Sequence, residues 1–163
     1  METANKKREA MKLLGCVVLC LFVGFIGSWF TESSLWTWYP ELRKPSFTPP
    51  SEIFAPVWTA LYVLMGVSLY FVARGGLKTE SVRTAAVLFV IQLSLNLMWS
   101  PAFFGLRSIL AGLIVISLLW PAILVTMLTF ARVSFLAAVL LFPYLIWTGY
   151  AVALNLALFI LNR

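Results

Sequence analysis

Three sets of side chains in this sequence are spaced to do chemistry together. Trp58, Tyr62 and Met65 form one set; Gln92, Asn96, Trp99, Ser100 and Phe103 form a second; Tyr144, Trp147, Thr148, Ala151 and Asn155 form a third. Intervals of three and four bring each set onto one face of a helix. Aromatic stripes are common packing devices, and amides in hydrocarbon either bond across to another helix or contact a ligand. The spacing leaves both roles open. Three stripes that each combine Trp, Tyr or an amide nevertheless suggest an enclosed amphipathic pocket. There an indole or phenol offers a flat face for stacking and a polar handle for hydrogen bonding. The chemistry this implies is recognition of a flat, apolar ligand.

Other chemistry is excluded by what the chain lacks. It has no His and no Asp, and its six acidic residues are all Glu. No Ser-His-Asp set, paired membrane carboxylates, Gly-rich phosphate loop or metal-ligand cluster can be assembled, so hydrolase and NTPase activities are not expected. Cys16 and Cys20 lie four apart on one helix face. Two thiols alone make a poor metal site, and the pair reads as small packing residues. No metal site is expected.

The elements that must position the stripes follow from hydropathy. Hydrophobic residues make up 62% of the chain and mean hydropathy is +0.97, far beyond a soluble domain. Five runs (residues 13–30, 54–73, 84–105, 108–131 and 133–162) contain no Lys, Arg, Asp, Glu or His. Each is long enough for a spanning helix of roughly 17–25 residues, and none alternates as a membrane strand would. The expectation is an all-α membrane protein of one domain, a five-transmembrane-helix bundle. Tight joins at residues 105–107 and at Arg132 make neighbours antiparallel, with Gly105 suited to a left-handed helix end. The exception is the loop 31–53, with Trp36, Trp38, Tyr39, Phe47 and prolines at 40, 45, 49 and 50. Proline stiffens its own residue and its predecessor, so this segment reads as a rigid aromatic lid that can also anchor at the headgroups. Pro101, Pro121 and Pro143 free the carbonyls of Leu97, Ser117 and Val139. Such interruptions suit helices that bow around an internal space.

The formal charge of +6 comes from residues flanking helix ends, which argues against nucleic acid as a partner. Lys6, Lys7, Arg8, Lys12, Arg74, Lys78, Arg83 and Arg132 fall on the N-terminal side; Arg43, Lys44, Arg107 and Arg163 fall on the other. The positive-inside rule then places the N-terminus in the cytoplasm. The first run exceeds a usual signal-peptide core and no Ala-x-Ala follows it, so an uncleaved helix is expected.

The residues also carry a resemblance. Trp38-Tyr39-x-x-Leu42-x-Lys44-Pro45-x-Phe47-x-Pro49-Pro50 is followed by Phe54-x-Pro56-x-Trp58-x-x-Leu61-Tyr62. Then come Asn96-x-x-Trp99-Ser100-Pro101-x-Phe103-Phe104 and Pro143-Tyr144-x-x-Trp147-x-x-Tyr150-Ala151-x-x-Leu154-Asn155. In this order, from the first loop to the fifth helix, they resemble the tryptophan-rich sensory protein/translocator protein family (TspO/MBR, the peripheral-type benzodiazepine receptor). The resemblance implies a five-helix bundle, commonly a homodimer, that binds porphyrins (protoporphyrin IX or haem), sterols and benzodiazepine-like drugs. The family's cavity opens beneath the first loop, and the residues here that match its lining are Tyr39, Trp58, Tyr62, Asn96, Trp99, Trp147 and Ala151. Trp38, Phe47 and Phe103, within the same motifs, join them as ligand-binding candidates. Some bacterial members are reported to degrade protoporphyrin in light, which makes Trp58, Trp99 and Trp147 candidate redox partners.

Departures refine the expectation. Phe47 stands where the family often has Trp, which keeps a stacking ring and removes an indole donor. After Asn155 the chain reads Leu156-Ala157-Leu158-Phe159 with no Tyr close before Arg163, so the sterol motif of animal members is absent. That argues for a porphyrin protein of bacterial type in a cell membrane. With no His to bind haem iron, affinity should come from stacking and apolar burial, and metal-free porphyrin should bind comparably to haem. No covalent cofactor is expected. Arg43 and Lys44 are the nearest cations for a porphyrin's carboxylates. Coupled transport is disfavoured without ionisable groups in the span, whereas passive passage of porphyrin or another lipophilic molecule remains an alternative. So does a scaffold role using Gly15, Gly24, Gly27 and Gly112 for close helix contact.

Overall fold

The computed structural model describes residues 2–163, apart from the side chains of Glu2 and Ser33. Five α-helices form: α1 (Glu2–Leu35), α2 (Ser51–Ala73), α3 (Glu80–Ser100), α4 (Ile109–Ala131) and α5 (Phe135–Leu161). All five are long and apolar enough to cross a membrane. No strand is found among the described residues.

The helices begin where side chains supply caps. Thr79, Ser108 and Ser134 each accept a hydrogen bond from the backbone three residues on, at Val82, Ala111 and Ala137, satisfying one orphan donor apiece. α1 extends well beyond the expected 13–30. Its first eleven residues are mostly charged or polar, with the Ala, Lys, Arg, Glu and Met among them favouring helix, and no proline interrupts the chain before Pro40. The lid therefore shortens from 31–53 to residues 36–50, with one 3₁₀ turn at Tyr39–Glu41. α2 starts three residues earlier than expected, directly after Pro49 and Pro50. The left-handed residue after α3 is Arg107, with φ 48°, and not Gly105. A wide π-turn (Pro101–Gly105) carries the chain past Gly105, closed by Leu106 N–H donating to the Pro101 carbonyl at 2.8 Å.

Lipid tails are as apolar as leucine, so helix association here rests on close packing and interhelical hydrogen bonds. α1 and α2 run antiparallel, with Lys12 beside Arg74, Val17 beside Gly66 and Gly24 beside Tyr62. A Cβ on Gly66 would stand 2.5 Å from Val17 Cα, so the two backbones nearly touch. Ser68 Oγ donates to the Ala137 carbonyl at 2.7 Å, tying α2 to α5. Ser34 Oγ donates to the Phe104 carbonyl at 2.7 Å, tying α1 to the π-turn. Met65, Phe89, Leu119, Ile123, Phe130 and Leu141 fill the centre. Pro121 and Pro143 face outward, so neither borders an internal space as their positions suggested. The C-termini of α1, α3 and α5 gather at the lid end; the opposite end carries most of the cations.

Candidate functional site

At the lid end the aromatic residues converge. The π-turn gives consecutive rings a shared inward direction, and Phe103 and Phe104 are both buried, 4.8 Å apart edge to face. Gly112 on α4 makes this possible, because a Cβ there would stand 2.5 Å from Phe103 Cδ2. Trp99, one turn back on α3, stacks on Phe103 at 5.4 Å and 19°. From above, Trp38 meets Phe103 edge-on at 5.4 Å, and Tyr39 meets Phe103 and Phe104 at 6.3 and 5.8 Å. Burial pushes the Tyr39 phenol pKa up, with Tyr150 adding to the shift, so Tyr39 stays a neutral donor.

The second half lies between α2 and α5. Trp58 leans on Tyr62 at 5.9 Å and meets Tyr144 edge-on at 6.3 Å. Trp147 touches Phe54 at 5.9 Å and Tyr150 at 5.8 Å. Phe54 packs into the Phe103 cluster as well, so it joins the two halves. Deeper in the bundle, Tyr62 Oη donates to Asn96 Oδ1 at 2.5 Å, and Asn96 Nδ2 donates to Tyr144 Oη at 2.8 Å. One amide thus bridges α2, α3 and α5. Of the two roles open to it, Asn96 takes the interhelix bond in this state.

Several buried polar atoms have no partner among the described residues: the Trp99 and Trp147 indole nitrogens, Asn155 Oδ1 and both amide atoms of Gln92. Asn155 Nδ2 is spent on the Ala151 carbonyl at 2.9 Å. Unsatisfied groups of this kind cost about 1–3 kcal/mol each, and indoles usually find an acceptor when buried. Of these residues, Trp99 and Trp147 also stand in ring contacts, Trp99 with Phe103 and Phe104 and Trp147 with Phe54 and Tyr150.

The lid is latched at two points. Asn162, at the end of α5, clasps Arg43: the Arg43 N–H donates to Asn162 Oδ1 and Asn162 Nδ2 donates to the Arg43 carbonyl, both at 2.9 Å. Tyr150 Oη donates to the Phe47 carbonyl at 2.5 Å. Arg43 and Lys44 are exposed, and the Lys44 ammonium sits 4.5 Å over the Tyr39 ring. Phe47, about half exposed, meets Tyr150 edge-on at the periphery.

Of the sequence candidates, the structure gathers Trp38, Tyr39, Trp99 and Phe103 in one cluster. Trp58, Tyr62, Asn96 and Trp147 fall in the adjoining one, with Ala151 one turn beyond Trp147 on α5. Phe54, Phe104, Tyr150 and Asn162 were not singled out as ligand-site residues, and Tyr144 only as a member of the stripe on α5. All but Asn162 lie within the quoted motifs, and only ring-to-ring geometry separates their roles.

Residues 16–161 match the sequence profile of the TspO/MBR family. The chain belongs to this family. It is 49% identical to "Tryptophan-rich protein TspO" of Chlorobaculum tepidum over 155 residues, which is 95% of this chain and 98% of that protein. It is 40% identical to "Translocator protein" of Homo sapiens over 133 residues, 80% of this chain and 78% of that one. "Protein CrtK" of Rhodobacter capsulatus is 34% identical over 145 residues, 89% of each. With five spanning helices in a TspO/MBR chain, the protein is an integral, multi-pass membrane protein.

Proposed function

We propose that this protein binds a planar tetrapyrrole, protoporphyrin IX or haem, among the aromatic side chains beneath the lid. The observation that carries the reading is the pair of buried, unpartnered indole N–H groups, Trp99 and Trp147, set in adjoining ring clusters. A macrocycle inserted there exchanges ring–ring contacts for ring–macrocycle stacking and gives each indole an acceptor. Arg43 and Lys44 stand on the lid where carboxylates at the macrocycle's edge would emerge. In this closed state the rings touch one another, so entry requires the lid to lift and the rings to part. We place the protein in a bacterial cell membrane, N-terminus in the cytoplasm, and expect it to pair as a homodimer.

With no His in the chain, iron should add little. Tryptophan fluorescence quenching, titrated with protoporphyrin IX and separately with haem, should give dissociation constants within about threefold of one another, about 0.7 kcal/mol. A strong haem preference with an axial-ligand absorption spectrum would overturn the stacking mechanism.

A second reading is favoured by the contacts of Trp58 with Tyr62 and Tyr144, which offer a short path for an electron. In it, illuminated porphyrin is oxidised by molecular oxygen, which takes up the electrons the macrocycle loses, with Trp58, Trp99 or Trp147 as electron or radical partners that relay them. Bleaching to a defined product by the wild type, lost when these residues are replaced by Phe, supports it. Equal bleaching by the variants leaves a binding protein.

A further inference from the structure

The end of the bundle away from the lid holds a second concave site. A cavity of about 320 Å³ lies between α1 and α2, lined by Lys12, Gly15, Cys16, Leu19, Tyr70, Ala73 and Arg74. Its floor is apolar and its mouth is charged. Lys12 Nζ donates to Glu9 Oε1 and to the Arg74 carbonyl, both at 2.8 Å, and Tyr70 Oη donates to Glu9 Oε2 at 3.2 Å. Arg8 reaches Glu9 at 3.9 Å, and the Arg74 guanidinium lies 5.5 Å over the Phe71 ring. Lys12 and Arg8 share the Glu9 carboxylate, while Arg74 pairs with no carboxylate among the described residues, so this group of side chains carries a net positive charge.

Depth in the membrane follows from the sequence. Lys12 is the last charge before the uncharged run of α1, and Arg74 is the first after that of α2. Both therefore sit at headgroup level, and from Lys12 to Leu19 the wall descends about 10 Å into the hydrocarbon. Gly15 keeps the wall open, since a Cβ there would meet nothing within 4 Å.

We infer that this cavity is a binding site for one anionic phospholipid, its phosphate at Arg74 and Lys12 and one acyl chain along Gly15, Cys16 and Leu19. Basic pockets between helices at the headgroup level suit such head groups, with a contribution equivalent to roughly fivefold in affinity per cation. A free phosphate would leave the apolar floor uncovered, and a neutral lipid would leave the positive charge in excess of Glu9 without a counter-charge. The site is independent of the porphyrin reading, because it lies at the other end of the bundle.

The test uses the full-length protein in mild detergent, with dioleoyl phosphatidylglycerol or dioleoyl phosphatidylcholine added, and native mass spectrometry to count retained lipids. One phosphatidylglycerol should be held more tightly than phosphatidylcholine, and equimolar inorganic phosphate should not displace it. Arg74→Gln should weaken phosphatidylglycerol roughly fivefold and leave phosphatidylcholine unchanged. Gly15→Leu, which fills open space, should weaken both lipids while circular dichroism stays native. Equal retention of phosphatidylglycerol by all three proteins would overturn the assignment, as would complete displacement by phosphate. A shift of Gly15→Leu in dimer content with lipid retention intact would instead assign the groove to a second copy of the chain.

Discussion

Asn96 shows how one side chain can organise a membrane interior. Its amide accepts from Tyr62 on α2 and donates to Tyr144 on α5, which fixes both rings where Trp58 contacts them. Interhelical hydrogen bonds in membranes average only about 0.6 kcal/mol, so Asn96→Leu should lower stability by about 1–2 kcal/mol and not abolish folding. Thermal unfolding in detergent will show this, and Tyr62→Phe, which loses one bond, should fall about halfway. Asn162 acts differently. It holds the lid backbone by two bonds, each worth about 1 kcal/mol, at a surface where little else depends on it. Asn162→Ala should lower stability by about 1–2 kcal/mol while raising both association and dissociation rates of porphyrin several-fold in stopped-flow quenching. Unchanged rates would mean the lid does not control entry.

Among the elements, the close approach of α1 and α2 bears the most packing strain when disturbed. Gly66→Ala forces a methyl onto the Val17 backbone, which cannot yield as a side chain would, and should destabilise the protein by about 1–3 kcal/mol. Gly15→Ala, facing open space on the same pair of helices, should be neutral or slightly stabilising. Comparing their unfolding midpoints separates a backbone contact from a general intolerance of α1 to change. The five helices were legible in the sequence because uncharged runs of this length have few alternatives. Their ends were not, because polar residues such as Thr31 and Glu80 continue a helix beyond the hydrocarbon as readily as they end one. The π-turn was equally hidden. Pro101 announces an interruption, but the wider turn that buries both Phe103 and Phe104 depends on Gly112 of another helix. The three stripes were legible as faces, whereas the division into two ring clusters joined at Phe54 required the tertiary arrangement.

For the whole molecule, the charge pattern and the ring pattern divide the bundle into two ends with different tasks. One end carries most of the cations, Lys12 and Arg74 among them at the α1–α2 cavity; the other folds a proline-stiffened lid over stacked rings. The span between them carries no charge, consistent with binding or passive passage and not with ion-coupled transport. The central claim is that Trp99 and Trp147 give their unpartnered N–H groups to a planar tetrapyrrole. Its most direct test is the protoporphyrin IX dissociation constant of the Trp99→Phe, Trp147→Phe double variant against the wild type, read by porphyrin absorbance. Phenylalanine keeps an aromatic ring and removes the donor. Two lost hydrogen bonds of about 1 kcal/mol each predict a weakening of roughly 25-fold with native circular dichroism. An unchanged dissociation constant in a folded double variant would contradict the account.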